Sequence, residues 1–168
     1  MDSSIILSAA PVTDATGRAV YLPFAATDGA DQVAAFWALL TADLRQQRPD
    51  LHICPALAQA AAWKAQDIIA GNYWSHQAAN GEWPNATVRR FGCALPAEYG
   101  DNWNGVEMLA AGSPNAPAIF KALASSPAHK AHLFGENDFF RAQAHSGVAV
   151  GSGGYWGWVW CILIAYCG

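Results

Sequence analysis

Charge is scarce in this sequence. Only 13% of its 168 residues are Asp, Glu, Lys or Arg, and the formal net charge is −4. Nine Lys and Arg in all cannot build a face that neutralises a row of phosphates, so nucleic-acid binding is excluded. Long apolar runs are missing too. Nothing approaches the ~18 residues of a membrane span, and the longest stretch, Trp156 to Tyr166, is broken by Gly157 and reads as a buried strand. No Cys-x-x-Cys pair occurs, which leaves a structural zinc knuckle unsupported. Two common hydrolase signatures, His-Glu-x-x-His and Gly-x-Ser-x-Gly, are absent. There is no internal repeat, low-complexity tract or interdomain linker.

What is abundant is apolar. Hydrophobic residues make up 53% of the chain, with eight Trp, seven Phe and five Tyr, enough for a sizeable core in one domain. The four cysteines, Cys54, Cys93, Cys161 and Cys167, are even in number. Two disulfides in an oxidising compartment is the simplest account, with three connectivities open; four reduced, buried thiols is the alternative. Cys161 and Cys167 cannot pair with each other if the segment between them stays extended. The N-terminus has no basic region before its short apolar run, so the chain reads either as cytosolic or as a mature secreted protein whose leader was replaced by Met1. The cysteine usage favours the secreted, extracellular reading.

Residues 1–29 differ from the rest. Apolar runs Ile5–Ser8 and Ala19–Ala26 flank the turn signal Asp14-Ala-Thr-Gly17 and predict an extension, either a hairpin or an extended arm, ahead of a domain over 30–168. Val33, Phe36, Trp37, Leu40 and Leu44 fall on one face of a helix, capped by Asp28 or Asp31 and stopped by Pro49. A second helix starts at Pro55, buries Leu57, Ala61, Ala65, Ile68 and Ile69, and ends at Gly71-Asn72. A short helix is predicted from Pro84 to Phe91, a loop over 93–105, a short apolar run over 105–112, a helix over Pro117–Ser125, and a further turn opened by Ser126-Pro127. Two strands, Gly147–Gly151 and Tyr155–Tyr166, close the chain around a turn at Ser152-Gly153-Gly154. On the last strand, Trp156, Trp158 and Trp160 share one side and read as core packing. Helices first and strands last predict an α+β fold.

Three residues stand where their chemistry is costly. Glu107 lies inside an apolar run, His76 follows an aromatic pair after helix two, and His129 sits in the turn after Ser126-Pro127. A carboxylate beside imidazoles orients a ring tautomer and can bind a divalent metal or position a water. Spacing alone does not bring the three together.

The segment Leu57-Ala-Gln-Ala-Ala-Ala-Trp-Lys-Ala-Gln-Asp-Ile-Ile-Ala-Gly-Asn-Tyr-Trp-Ser-His76 resembles the helix-then-His segment of bacterial SCP/CAP-domain proteins, whose superfamily includes cysteine-rich secretory, antigen-5 and pathogenesis-related-1 proteins. Gly105-Val-Glu107-Met-Leu-Ala-Ala-Gly112 resembles the family's Gly-Glu-Asn-Ile-Ala-x-Gly segment. Ser126-Pro-Ala-His129-Lys-Ala-His132-Leu resembles its Ser-Pro-Gly-His-Arg-x-Asn-Ile/Leu. Gly147-Val-Ala-Val-Gly151 and Tyr155-Trp156 resemble its closing hairpin and last strand. The four segments keep the family's order over about residues 30–166. The resemblance implies an α-β-α sandwich, a small antiparallel sheet between helices, and a cleft in which His76, Glu107 and His129 hold a divalent cation, Zn2+ being well suited to that set.

The departures are specific. The Asn that follows the family's Glu is replaced by Met108, and Ser126 takes the place of a second cleft carboxylate found in eukaryotic members. His132, one helical turn after His129, takes the place of an Asn and is either a substitute ligand or a surface or supporting residue. Trp83 and Trp103, in polar loops, are candidates for ligand contact. His52 and His145 read as loop or helix-end residues, and Glu136 and Asp138 as solvated loop carboxylates. The function that follows is a secreted, monomeric binding module for a metal or small ligand, with a lipid or a protein as other partners. A metal-assisted hydrolase and a lipid or sterol carrier are the alternatives, because no single reaction defines the family.

Overall fold

The computed structural model of the protein describes residues 5–6 and 26–168, with side chains from residue 29 onward. The expected hairpin or arm around Asp14–Gly17 lies outside the described residues. Within them the chain forms β1 (Ile5–Ile6), α1 (Ala26–Ala42), β2 (His52–Ile53), α2 (Pro55–Gly71), α3 (Pro84–Arg90), a single 3-10 turn (Ala97–Tyr99), β3 (Glu107–Ala111), α4 (Ala116–Ser125), α5 (Pro127–Phe134), α6 (Asp138–Arg141), β4 (His145–Gly153) and β5 (Gly157–Ala165).

The strands join in one sheet of order β1-β3-β5-β4-β2. The three central strands are antiparallel, with Glu107 opposite Leu163 and Gly147 opposite Leu163 on the other side. At the margins, two-residue β1 and β2 run parallel to β3 and β4. The sheet is therefore mixed at its edges and antiparallel at its centre.

Strand alternation divides β5 between two cores, as a period of two requires. Val159, Cys161, Leu163 and Ala165 face α2 and α3, where Leu57, Ala61, Ala65, Ile68 and Val88 pack. Trp160, Ile162 and Ile164 face α1, α4 and α5, against Phe36, Leu40, Ile119, Leu123 and Leu133. Helices on both faces of one sheet make the α-β-α sandwich. Close contact between α2 and the sheet depends on Gly147: a Cβ there would overlap the Leu57 carbonyl carbon and the Ala58 amide nitrogen.

Several boundaries differ from the sequence reading. α1 begins at Ala26, so Asp28 and Asp31 lie inside it, and it ends at Ala42, well before Pro49. Leu44 is consequently beyond the helix and fully exposed; Asp43 makes the break, its carboxylate accepting from the Arg45 amide in a local turn. α2 has the expected bounds, with Asn72 left-handed at φ 50°. The closing hairpin turns over 154–156, two residues later than expected, so β4 runs on to Gly153. Trp156 thus sits in the turn and packs on the α2 side, stacked with Trp74 at 5.0 Å. Trp160 points to the opposite core, so the three tryptophans do not share a side.

His52 and His145 are strand residues rather than loop or helix-end residues, paired across β2 and β4 with ring centroids 4.4 Å apart. Asp138 opens α6, and Glu136 pairs with Lys130 at 3.2 Å. Of the two disulfides expected, one forms, Cys93–Cys167, while Cys54 and Cys161 are free thiols. Cys161 lies in the middle of β5, so its side chain is fully enclosed in the core.

Candidate functional site

A cleft of about 390 Å³ opens at the end of the sheet where β3 begins, and His76, Trp83, Glu107, His129, His132 and Phe140 are among its lining residues. Three separate segments supply the polar groups. The loop after α2 brings His76, the first residue of β3 is Glu107, and the first turn of α5 brings His129.

The central contact is between His76 Nδ1 and Glu107 Oε1, 2.7 Å apart. An ionised carboxylate only accepts, so Nδ1 donates. Glu107 is 5% exposed, and its second oxygen, Oε2, accepts from the Cys161 thiol at 3.7 Å. Burial pushes the Cys161 thiol well up, and the Glu107 charge adds to that rise, so the thiol stays protonated. The backbone of Glu107 is fixed by Asn104: Oδ1 accepts from the Glu107 and Val106 amides at 2.8 and 3.2 Å, and Nδ2 donates to the Glu107 carbonyl at 2.9 Å.

His129 is gripped at the same ring position, with Nδ1 2.9 Å from Ser126 Oγ. Ser126 is the N-cap residue of α5, yet its hydroxyl makes no side-chain cap bond and engages the imidazole instead. His132 is buried, not at the surface. Its Nε2 donates to the Ile164 carbonyl at 3.0 Å and its ring stacks on Phe140 at 4.4 Å. Burial, reinforced by the Arg48 charge, pushes its pKa down to about 3, so it stays neutral. Arg48 is itself buried and lowered to about 10 by desolvation; it donates to the His132 and Leu133 carbonyls in the last turn of α5 and to the Phe140 carbonyl of α6.

Trp83 lines the cleft. Trp103 stands outside that lining, 42% exposed, with its Nε1 donating to the Tyr99 carbonyl and its ring over Gly105. Two further residues that the sequence reading passed over secure this region. Asn85, fully buried, donates to the Tyr99 carbonyl at 2.8 Å and accepts from the Gly105 amide at 3.0 Å. Lys64, also buried, donates to the His76 carbonyl at 2.9 Å and to Tyr73 Oη at 3.0 Å. Lys64 had a visible signal: it is a charge set among the apolar positions of the α2 stripe.

Among the described residues no three His, Cys, Asp or Glu side chains form a group able to hold a metal ion. The expected set of two imidazoles and one carboxylate does not fit this geometry, because Glu107 is committed to His76 Nδ1 and to the Cys161 thiol. Glu107 is placed as the partner of an imidazole rather than as a third ligand.

No protein-family profile matches the chain, and no curated protein does. Solved structures do match. An outer surface protein from Borrelia burgdorferi is 18% identical with TM-score 0.64, over 87% of this chain and 97% of that one. An extracellular SCP-domain protein from Bacillus anthracis is 17% identical with TM-score 0.64, over 86% of this chain and 45% of that one. The fold is that of the SCP domain. A cysteine-rich secretory protein from Staphylococcus aureus, 10% identical with TM-score 0.57, matches over 90% of this chain and 44% of its own length. The chain therefore spans almost all of the Borrelia protein and less than half of the other two. At these identities the likeness establishes the SCP fold, and function rests on the cleft. No helix among the described residues is long and apolar enough to cross a membrane.

Proposed function

We propose that the protein is an extracellular binding module that takes a small ligand into the cleft through the His76–Glu107 pair. The observation that carries this is the 2.7 Å bond between His76 Nδ1 and Glu107 Oε1 in the wall of a cleft that also contains His129. The pair puts polar groups in the cleft wall, so the ligand brings a polar or positively charged group to it. Trp83 and Phe140 offer flat apolar surface for the remainder of the ligand. The extracellular assignment is supported by the disulfide and by the descriptions of the structural neighbours as outer-surface, extracellular and secretory proteins.

The test is a fragment screen by NMR on uniformly labelled protein. Binders that shift His76, Trp83, Glu107 and His129 together, and that His76→Ala abolishes, support the reading. Binders that cluster elsewhere, or that ignore His76→Ala, overturn it.

A second reading draws on the same bond, since a carboxylate on Nδ1 is how metal-bearing imidazoles are oriented. In that reading His76 and His129 are the protein's two ligands to a divalent cation, with Glu107 behind the first. Equilibrium dialysis against Zn2+ decides it: stoichiometric metal lost in both His76→Ala and His129→Ala supports it, and no retained metal in the wild type ends it.

A further inference from the structure

Lys64 presents a problem that packing does not answer. It sits on α2 between Ala61 and Ala65, both buried, and is itself only 1% exposed. Taking an ammonium out of water costs several kcal/mol unless its protons and its charge are matched. An Ala or Leu at this position would fill the stripe without that cost, so the reason for a lysine lies in what its head group touches.

The ammonium donates to the Tyr73 hydroxyl at 3.0 Å and to the His76 carbonyl at 2.9 Å, and lies 5.0 Å from the centre of the Tyr73 ring. Tyr73 in turn donates to Asp67 Oδ2 at 2.5 Å, and the same oxygen accepts from the Ala79 amide at 3.1 Å. Burial and the Asp67 bond hold the Tyr73 phenol well above its ordinary range, so it remains a donor. Lys64 and Asp67, one helical turn apart, thus tie the loop from Tyr73 to Ala79 to α2. A bond from Trp156 Nε1 to the Tyr73 carbonyl at 3.0 Å fastens the start of that loop from the hairpin side.

The second rung matters more. Lys64 holds the backbone carbonyl of the very residue whose ring meets Glu107. Lys64 and Glu107 are both buried, at 1% and 5% exposure. We infer that Lys64 is the positioning residue of the His76–Glu107 pair: through the His76 carbonyl it sets the register of the imidazole on the carboxylate, and its charge accompanies that of Glu107 inside the protein. Asp67 and Tyr73 hold the loop in general, whereas Lys64 bonds to the His76 carbonyl itself.

The inference gives the bond used under the proposed function its structural cause, and it rests on that reading only for its consequence in ligand binding. Its first test needs no ligand. Long-range nitrogen–proton NMR on the full chain reports which ring nitrogen of His76 carries hydrogen. The wild type is expected to show a single, Nδ1-protonated form. Lys64→Met keeps an apolar stem of similar length; the protein is expected to fold, as followed by circular dichroism, with His76 shifted to a mixture of tautomers. Lys64→Arg, which keeps charge and donors, is expected to restore most of the Nδ1 form. An unchanged His76 signature in Lys64→Met, or one lost equally in Lys64→Arg, overturns the inference and leaves Lys64 as packing. Should Lys64→Met not fold, Lys64→Gln replaces it under the same criterion.

The second test uses the fragments that shift His76 in the wild type. Binding at least tenfold weaker in Lys64→Met, with Lys64→Arg near wild type, supports the inference. If no fragment shifts His76 in the wild type, the proposed function falls, while the tautomer comparison still decides the role of Lys64.

Discussion

Gly147, in β4, lies directly against Leu57 in the first turn of α2, with no room between them for a Cβ. The glycine is therefore required by a helix backbone crossing a strand backbone, and not by the hairpin that follows. Gly147→Ala is expected to destabilise the protein by about 3 kcal/mol or more, because backbone has to move on one side or the other. Chemical denaturation measures it; a loss under about 1 kcal/mol would contradict the observed approach of α2 to the sheet.

His132 gives the fold an acid limit. Its pKa falls to about 3 in the folded protein, from about 6.5 when unfolded, chiefly through burial. The folded state binds fewer protons here, so the neutral ring's contribution is complete above pH 6.5 and declines as pH drops through that window. The slope is about 1 kcal/mol per pH unit. His132→Gln, which keeps a donor for the Ile164 carbonyl, is expected to be less stable at pH 7 yet to lose less between pH 6 and pH 4. Parallel slopes for the two proteins would remove His132 from the acid response.

Thiol counting checks the cysteine assignment. Unfolded, non-reduced protein is expected to show two free thiols by reaction with a chromogenic disulfide, Cys54 and Cys161, and the native protein at most the half-buried Cys54. Replacing both Cys93 and Cys167 by Ser is expected to cost about 2–4 kcal/mol, since the bridge spans 74 residues of sequence. Four thiols in the unfolded protein would refute the bridge.

Asn85 holds the 3-10 turn and the start of β3 together from inside the protein. Asn85→Ala leaves the Tyr99 carbonyl and the Gly105 amide without this partner and is expected to cost about 2–3 kcal/mol. Hydrogen exchange should show faster loss of protection at Gly105 than at the β5 amides. Equal protection at Gly105 in both proteins would show that the clamp does not matter.

The legible parts of the sequence were those written in local code. α2 was readable from end to end because Pro55 starts it, a stripe at helical spacing fills it, and Asn72 takes a left-handed conformation at its end. α1 was misjudged at both ends because its stop is a side-chain turn at Asp43, whereas Pro49 looked like the stronger signal. The hairpin turn was displaced because Gly151, Gly153 and Gly154 allow more than one turn, and strand pairing rather than glycine placement chose between them.

In the cleft, His76, Glu107 and His129 do line one hollow. Their bonding was not legible, since the Glu107–Cys161 contact depends on which β3 residue lies opposite which β5 residue. Asn104 shows the same limit. It grips Glu107 from three residues before it, and nothing in the local pattern separates that asparagine from a loop residue.

The two shortest strands have a consequence for handling the molecule. β1 and β2 occupy the outer rims of the sheet with segments of the same chain, β1 beside Ala110 and Ala111 at the end of β3 and β2 beside His145 and Ser146 at the start of β4. Ile5 and Ile6 cover Ala110 and Ala111 of β3. Trimming the protein back to Ala26 is expected to bare the β3 edge at Ala110 and Ala111 to pairing with a second copy.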